Sequence, residues 1–368
     1  MTESESALKD HDMDTKPNID DKLNRIREDH LKIRSDLGQT IVGLEGVTDL
    51  LLGAIISGGH CLLEGVPGLA KTLLVKSIGQ ALGLEAARIQ FTPDLMPSDI
   101  TGTEVIVQNH ESGERMFRFI KGPIFTNLLL ADEINRTPPK TQAALMEAME
   151  ECQVTSLGHR HELASPFLVI ATQNPIEQEA TYPLPAAQLD RFMYQVNVDY
   201  PSFEEEYKIV RMTTTRDPGP IEPILSREEI LWLTRTVRNH PVPESLERIA
   251  VKLARMSRPD ENDAPTFIRE WVSWGAGPRA DQFLILGAKA RALLLGRTRV
   301  EAEDLVHVAK PVLRHRILLN YQAEADNIKP DFLVEKLLDV IPELKAAQET
   351  STPAEGRTGF LSWILRRK

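Results

Sequence analysis

Between residues 61 and 82 a short apolar run, Cys61–Leu63, opens onto Gly65-Val66-Pro67-Gly68-Leu69-Ala70-Lys71-Thr72, and a helical stretch, Leu73–Leu82, follows. Few folds accommodate that order of strand, glycine-bearing loop and helix mouth carrying a lysine and a hydroxyl; it is the layout of a phosphate cradle. Backbone N–H groups can surround an anion only where side chains do not obstruct them, and the helix N-terminus adds partial positive charge. Gly65, Val66, Pro67, Gly68, Leu69, Ala70, Lys71, Thr72 and Leu73 are therefore the candidate nucleotide-binding segment. Lys71 would neutralise the β and γ phosphates, and Thr72 would offer its hydroxyl to Mg²⁺. Ala70 stands where the general pattern carries a second glycine, a change that a right-handed backbone tolerates.

About sixty residues on, Leu128-Leu129-Leu130-Ala131-Asp132-Glu133 reads as an apolar strand ending in two carboxylates. Beside a cradle, Asp132 would hold Mg²⁺ through a water, and Glu133 would orient and deprotonate the water that attacks the γ-phosphate. A third strand, Phe167–Thr172, ends at Gln173-Asn174-Pro175, where the Asn174 amide could sense the γ-phosphate or hold the attacking water. Cradle, acid pair and polar strand tip together point to ATP hydrolysis with Mg²⁺.

The rest of the 368 residues is organised around that unit. Asp21 to Leu37 alternates charges with Leu23, Ile26, Leu31 and Ile33, which predicts an amphipathic helix. The apolar runs HCLLEG, ARIQF, TNLLLADE and PFLVIATQNP read as buried parallel strands of an α/β core. Two segments alternate like hairpins inserted on that core: Gly102–Pro123, turning at Asn109–Gly113, and Gln153–Pro166, turning at Leu157–Gly158. Residues 1–20, with six acids against two bases, read as a disordered tail, so the α/β domain spans 21–213. TTRDPGPIEP at 214–223 is a linker, 224–345 an all-helical domain opened by a Ser226/Glu229 capping box, and 346–368 a tail. The tail's GFLSWILRRK end would dock as a short helix on its own or a neighbouring subunit, or anchor to a membrane surface or partner.

Composition narrows the classes further. Forty-three basic against 54 acidic residues give a net charge of −11, which argues against an extended nucleic-acid footprint. Two cysteines, Cys61 and Cys152, exclude a disulfide framework and suit a reducing compartment. No apolar run approaches the ~18 residues that span a bilayer, and the acidic start lacks a signal-peptide core, so a cytoplasmic location is expected.

The sequence resembles the MoxR family of AAA+ ATPases. The resemblance rests on GVPGLAKT at 65–72, IQFTPDLMPSDITG at 89–102 and LLLADEINRTPPKTQAALMEAMEECQVT at 128–155. It extends through ATQNP at 171–175, YPLPAAQLDRF at 182–192, GAGPRA at 275–280 and PVLRHRI at 311–317, and thus covers about Gln39–Leu318. Ala70 is the usual choice in that family. The resemblance implies an AAA+ P-loop core with a helical lid, assembled as a homo-oligomer, a hexamer, with ATP at subunit interfaces. It makes Arg191 an arginine finger reaching a neighbour's γ-phosphate and Arg279 a second sensor on the lid. Val42 and Gly43 fit the segment against adenine, although Leu44 stands where glutamine is usual, and Arg136 could also act across the interface.

The hairpins would line a pore or face substrates, with Arg115, Arg118, Lys121 and His159-Arg160-His161 meeting acidic surfaces or simply solvated. Residues 256–274 look like a lid expansion whose Phe267, Trp271 and Trp274 either pack in the lid or form a recognition surface. The function so implied is a chaperone-like remodeller that matures or activates protein complexes, often with partners carrying von Willebrand factor A domains. A DNA-acting motor and a nucleotide-gated scaffold with little turnover are the alternatives.

Overall fold

The computed structural model describes residues 19–108, 115–156, 158–175, 181–215 and 219–351. The acidic tail to residue 18, the turn at Asn109–Gly113, part of the 214–223 linker and the run from 352 to 368 lie outside them. The α/β part opens with α1 (Ile19–Gly38), α2 (Glu45–Ser57), β1 (Cys61–Glu64), α3 (Lys71–Ala81), β2 (Ala86–Gln90) and α4 (Pro97–Thr101). The first hairpin, β3 (Gly102–Gln108) and β4 (Arg115–Lys121), leads to β5 (Leu128–Asp132) and α5 (Pro139–Glu151). After the second hairpin, β6 (Gln153–Ser156) and β7 (His159–Glu162), come β8 (Leu168–Gln173), α6 (Ala186–Leu189), β9 (Tyr194–Asn197) and α7 (Phe203–Thr215). The remainder holds α8 (Arg227–Asn239), α9 (Glu244–Met256), α10 (Thr266–Trp271), β10 (Val272–Trp274), α11 (Pro278–Leu294) and α12 (Ala302–Leu313). It closes with β11 (Leu318–Leu319), α13 (Tyr321–Ala325), α14 (Pro330–Val340) and α15 (Pro342–Ser351).

The core sheet is parallel, in the order β2-β5-β8-β1-β9. Its apolar runs are continuous because both faces are covered. Leu63, Leu128, Leu130, Leu168 and Ile170 face one apolar cluster, whereas Leu62, Leu129, Ala131, Val169 and Ala171 face the other. The first cluster runs on without a break into Leu253, Leu284, Leu293, Leu305 and Leu337 of the helical part, so one core joins the sheet to the lid. The second is closed by α5 through Leu145, Met146 and Met149.

Four of the five strands coincide with the expected apolar runs; β9, a four-residue edge strand, is the addition. Both inserts are antiparallel hairpins, as anticipated. Phe119 of the first stacks on His161 of the second, ring centroids 3.9 Å apart, which ties the two together. In α1 Leu23, Ile26 and Ile33 are buried, but Leu31 is exposed. Its neighbour His30 is buried instead, bonded to the Leu294 carbonyl at 3.1 Å and to Asp49 at 2.9 Å.

The lid is not all-helical. Val272 and Trp274 pair antiparallel with Leu319 and Leu318, so the β-branched valine in REWVSW ends α10 in a short ribbon. Of the three aromatic residues in that expansion, Phe267 and Trp271 pack against the core, with the Lys336 ammonium over both rings, while Trp274 is 69% exposed. The Ser226 capping box is present: Glu229 N–H donates to Ser226 Oγ at 3.2 Å and Ser226 N–H to Glu229 Oε2 at 2.9 Å. No helix of the described residues is long and apolar enough to cross a membrane.

Candidate nucleotide site

Parallel strands present their C-terminal ends on one edge, where ligands of open α/β sheets bind. There β1 runs into Gly65, whose N–H donates to Gln173 O at 3.3 Å, so the start of the loop is fastened to the residue before Asn174. A Cβ at position 65 would lie 2.6 Å from the Val198 carbonyl oxygen, which restricts the position to glycine. Gly68 turns the loop at φ +85° with nothing within 4 Å of its missing Cβ, leaving space over the backbone N–H groups. Pro67, Gly68, Ala70 and Leu73 are exposed around it, and Val66, Leu69, Lys71 and Thr72 are half-buried.

Ala70 departs from expectation. Its backbone is left-handed, φ 54° and ψ 18°, and it caps α3 in that conformation. The methyl is therefore accommodated at a cost of about 1–2 kcal/mol rather than freely. The next residue, Lys71, folds its ammonium onto the loop's own carbonyls, donating to Gly65 O and, at 3.0 Å, to Val66 O. Burial lowers the lysine's pKa from its ordinary value, opposed by the charges of Asp132 and Glu133.

The acid pair stands across from the cradle. Asp132 is 8% exposed, and its Oδ1 accepts from Thr172 Oγ1 at 2.6 Å while Oδ2 lies 3.4 Å from Thr72 Oγ1. Thr172 also accepts the Glu133 N–H at 2.8 Å, so one hydroxyl positions both acids. Glu133 itself is left-handed, φ 58° and ψ 49°. A hydroxyl beside a buried carboxylate is an oxygen donor set suited to Mg²⁺. Asn174 is 5% exposed one residue beyond β8, on the same edge.

Three side chains meet the two acids here. Arg88 Nη2 and Nε donate to Asp132 Oδ2 at 2.6 and 3.0 Å, Gln90 Nε2 donates to Glu133 Oε2 at 2.8 Å, and Arg136 Nη1 meets the same oxygen at 2.9 Å. Gln90 pairs with Asp132 in register, so the period of two in β2 puts Arg88 and Gln90 on one face beside the acids. Polar residues alternating at the end of a strand next to an acid-tipped strand were the available clue. Arg136, considered for a role across an interface, lies on its own chain's Glu133.

Arg191 and Arg279 are elsewhere. Arg191 Nη2 pairs with Glu150 Oε2 at 2.6 Å, and Arg279 Nη2 with Glu150 Oε1 at 2.8 Å. Met149, the neighbour of Glu150, accepts from His60 at 3.1 Å, and Met193 N–H donates to His60 O at 2.8 Å. His60 immediately precedes β1, whereas the cradle follows it. At about 3.3 Å per residue, the arginine cluster is thus roughly 16 Å along the strand from Gly65, at the N-terminal edge of the sheet. Glu150 is a further residue that spacing could not reveal, because it meets Arg279 across 129 positions.

Val42 is buried and Gly43 adopts φ 80°, with the Glu205 carboxylate where a Cβ would go. Separated from them by one residue, Gln39 and Thr40 line, with Tyr207, Lys208 and Arg211 of α7, a cleft of about 1080 Å³.

The model of the ATPase family associated with various cellular activities (AAA) matches residues 60–194, and that of the AAA lid domain matches 265–337. The chaperone MoxR1 of Mycobacterium tuberculosis is 42% identical over 317 residues, 85% of this chain and 82% of that protein. The uncharacterised protein YeaC of Bacillus subtilis is 40% identical over 306 residues, covering 83% and 92%. A crystal structure of a provisionally assigned ATPase from Cytophaga hutchinsonii superposes with a TM-score of 0.80 at 39% identity, over 87% of this chain and 96% of that one. With the cradle, the acid pair and the lid in place, the chain belongs to the MoxR family of AAA+ ATPases.

Proposed function

We propose that the protein is an ATP-hydrolysing remodeller whose active sites are shared between subunits of a ring, a hexamer by family resemblance. The observation that carries this reading is the separation within one chain. The cradle, Asp132 and Glu133 lie on the C-terminal edge of the sheet, and Arg191 and Arg279 meet at Glu150 on the opposite edge. Arginines so placed suit a triphosphate held by another copy.

In each site Lys71 and the loop Gly65–Thr72, through its N–H groups from Gly68 onward, bind the phosphates, and Val42 and Gly43 border the base. Thr72 and Asp132 would hold Mg²⁺, which offsets phosphate charge when bound. Glu133 takes the proton of the attacking water, and Asn174 orients that water. The neighbour's Arg191 supplies positive charge where the transition state develops negative charge, a contribution of ~10³–10⁵ in rate where such fingers operate. Arg279 reports the same phosphate to the lid.

The remodelled partner is a protein complex, engaged directly or through a von Willebrand factor A domain protein. Ile106 and Phe117, paired across the first hairpin, are 60% and 71% exposed, a surface that suits an unfolded or loosely held polypeptide better than nucleic acid. Turnover per subunit should rise with protein concentration as shared sites form, and Glu133→Gln should bind ATP yet not hydrolyse it. Zero turnover at every concentration, or normal hydrolysis by Glu133→Gln, would sink the reading. Capture on the ATP-trapped Glu133→Gln protein would name the partner.

A further inference from the structure

The PVLRHRI segment, so far without a role, carries a side chain bonded through all three of its guanidinium nitrogens. Arg316 is 5% exposed and lies just past the end of α12. Its Nε donates to Asp190 Oδ1 at 2.8 Å. Its Nη2 donates to Asp190 O at 2.8 Å and to Phe192 O at 2.7 Å, and its Nη1 reaches Met193 O at 3.4 Å and the Val312 carbonyl in the last turn of α12. The Phe283 ring of α11 packs under the guanidinium at 5.1 Å. Two residues back, Arg314 binds Asp331 with two bonds, 2.9 and 2.8 Å, and donates to Gln195 O in β9 at 3.2 Å.

The carbonyls gripped by Arg316 belong to Asp190, Phe192 and Met193, on either side of Arg191. These lie ahead of β9, where no sheet ladder is available to accept from. A side chain with a planar fork of five donors can satisfy several such acceptors at once; an ammonium cannot. Stability alone is a poor reason for a buried cation here, since an apolar residue of similar volume usually serves as well. Burial lowers the guanidinium's pKa to about 10, opposed by Asp190, so it stays charged near neutrality.

We propose that Arg316 is the positioning residue for Arg191, and that it passes displacements of the lid to the loop that carries the finger. The same carboxylate, Asp190, lies 3.8 Å from Arg279, so both lid arginines bear on one residue beside Arg191. The inference rests on the shared-site reading above, and it predicts a defect that appears in the neighbouring subunit's site rather than in the variant's own.

The test is complementation between full-length variants. Arg316→Lys keeps a cation for Asp190 but loses the fork. Alone it should bind ATP within about twofold of the parent, with KM little changed and kcat at least about tenfold lower. Glu133→Gln alone should be inactive. Mixed in equal amounts, the two should regain turnover about 2–3-fold above Arg316→Lys alone, because in about a quarter of the sites an Arg316→Lys subunit keeps its base and receives an intact finger from a Glu133→Gln neighbour. Arg191→Ala mixed with Glu133→Gln is the reference and should regain turnover in the same way. If that reference complements and the Arg316→Lys mixture does not, the positioning role is overturned while the shared site stands; if neither does, both fall. Should Arg316→Lys lose its cooperative melt, Asp190→Asn, which keeps an acceptor for Nε, takes its place in the mixture, and regained or absent turnover then supports or overturns the role in the same way.

Discussion

Arg88 holds Asp132: two guanidinium nitrogens lie 2.6 and 3.0 Å from Asp132 Oδ2, the oxygen that also faces the Thr72 hydroxyl. A cation of the chain thus occupies the side of the carboxylate that the proposed Mg²⁺ would use. Arg88→Met should raise affinity for Mg²⁺-nucleotide by about 2–5-fold. The gain is held below ~1 kcal/mol because the Arg88 side chain is half exposed and the pair is screened. Titration with a fluorescent ATP analogue, with and without Mg²⁺, checks this, since only the Mg²⁺-dependent arm should move. A weaker Mg²⁺-dependent arm would mean that the guanidinium helps hold the acid in place rather than competing for it.

Ala70 supplies a prediction about stability. Its left-handed backbone is one that glycine adopts without steric cost. Ala70→Gly should therefore stabilise the nucleotide-free protein by about 0.5–1 kcal/mol, after the extra chain entropy of glycine is subtracted. Urea unfolding with an unchanged m-value is the measurement. A loss of stability would imply that the loop turns right-handed in solution.

Glu150 pairs with both Arg191 and Arg279 within one subunit, at 2.6 and 2.8 Å. In the proposed shared site, a neighbour's γ-phosphate would have to draw both arginines off that carboxylate. Glu150→Gln should keep the side chain's shape while weakening its hold, so half-maximal turnover should be reached at about 2–5-fold lower subunit concentration. ATP binding to the variant's own cradle should not change. A higher concentration requirement would mean that the carboxylate pre-sets the arginines instead of restraining them.

The parts of this molecule legible in its sequence are those written in local pattern. Leu62 and Leu63 face opposite clusters, so an unbroken apolar run marks a strand covered on both sides. The loop chemistry at 65–72 and the acids at 132–133 announce themselves by adjacency. β9 escaped because YQVN is short and carries polar residues, an edge strand with only one neighbour. The ribbon β10–β11 escaped because its partners are some 45 residues apart in a helical region. Arg88, Thr172, Glu150 and Arg316 act through side chains that meet their partners only after the sheet and lid have formed. Ala70 shows the limit most clearly: its identity is plain in the sequence, but its handedness is set by the loop.

His60 makes the stability of the sheet depend on pH. It is 8% exposed; its Nδ1 accepts the Val169 N–H at 3.0 Å, which places the proton on Nε2, and that nitrogen donates to Met149 O at 3.1 Å. Burial lowers its pKa from 6.5 to about 4, so the folded protein holds the ring neutral while the unfolded chain takes up a proton. Between those values the unfolded state binds more protons, and stability falls as pH falls. The contribution present above pH 6.5 amounts to about 3 kcal/mol, lost progressively toward pH 4. His240, His307 and His315 shift in the same direction, chiefly through burial, and add to the slope. His60→Gln, which offers an acceptor and a donor without a titrating ring, should cost stability at pH 7 yet flatten the acid limb by about one proton, or ~1.4 kcal/mol per pH unit. Urea midpoints from pH 8 down to about pH 4.5 would measure it; a slope unchanged from the parent would show that His60 titrates normally in the folded protein.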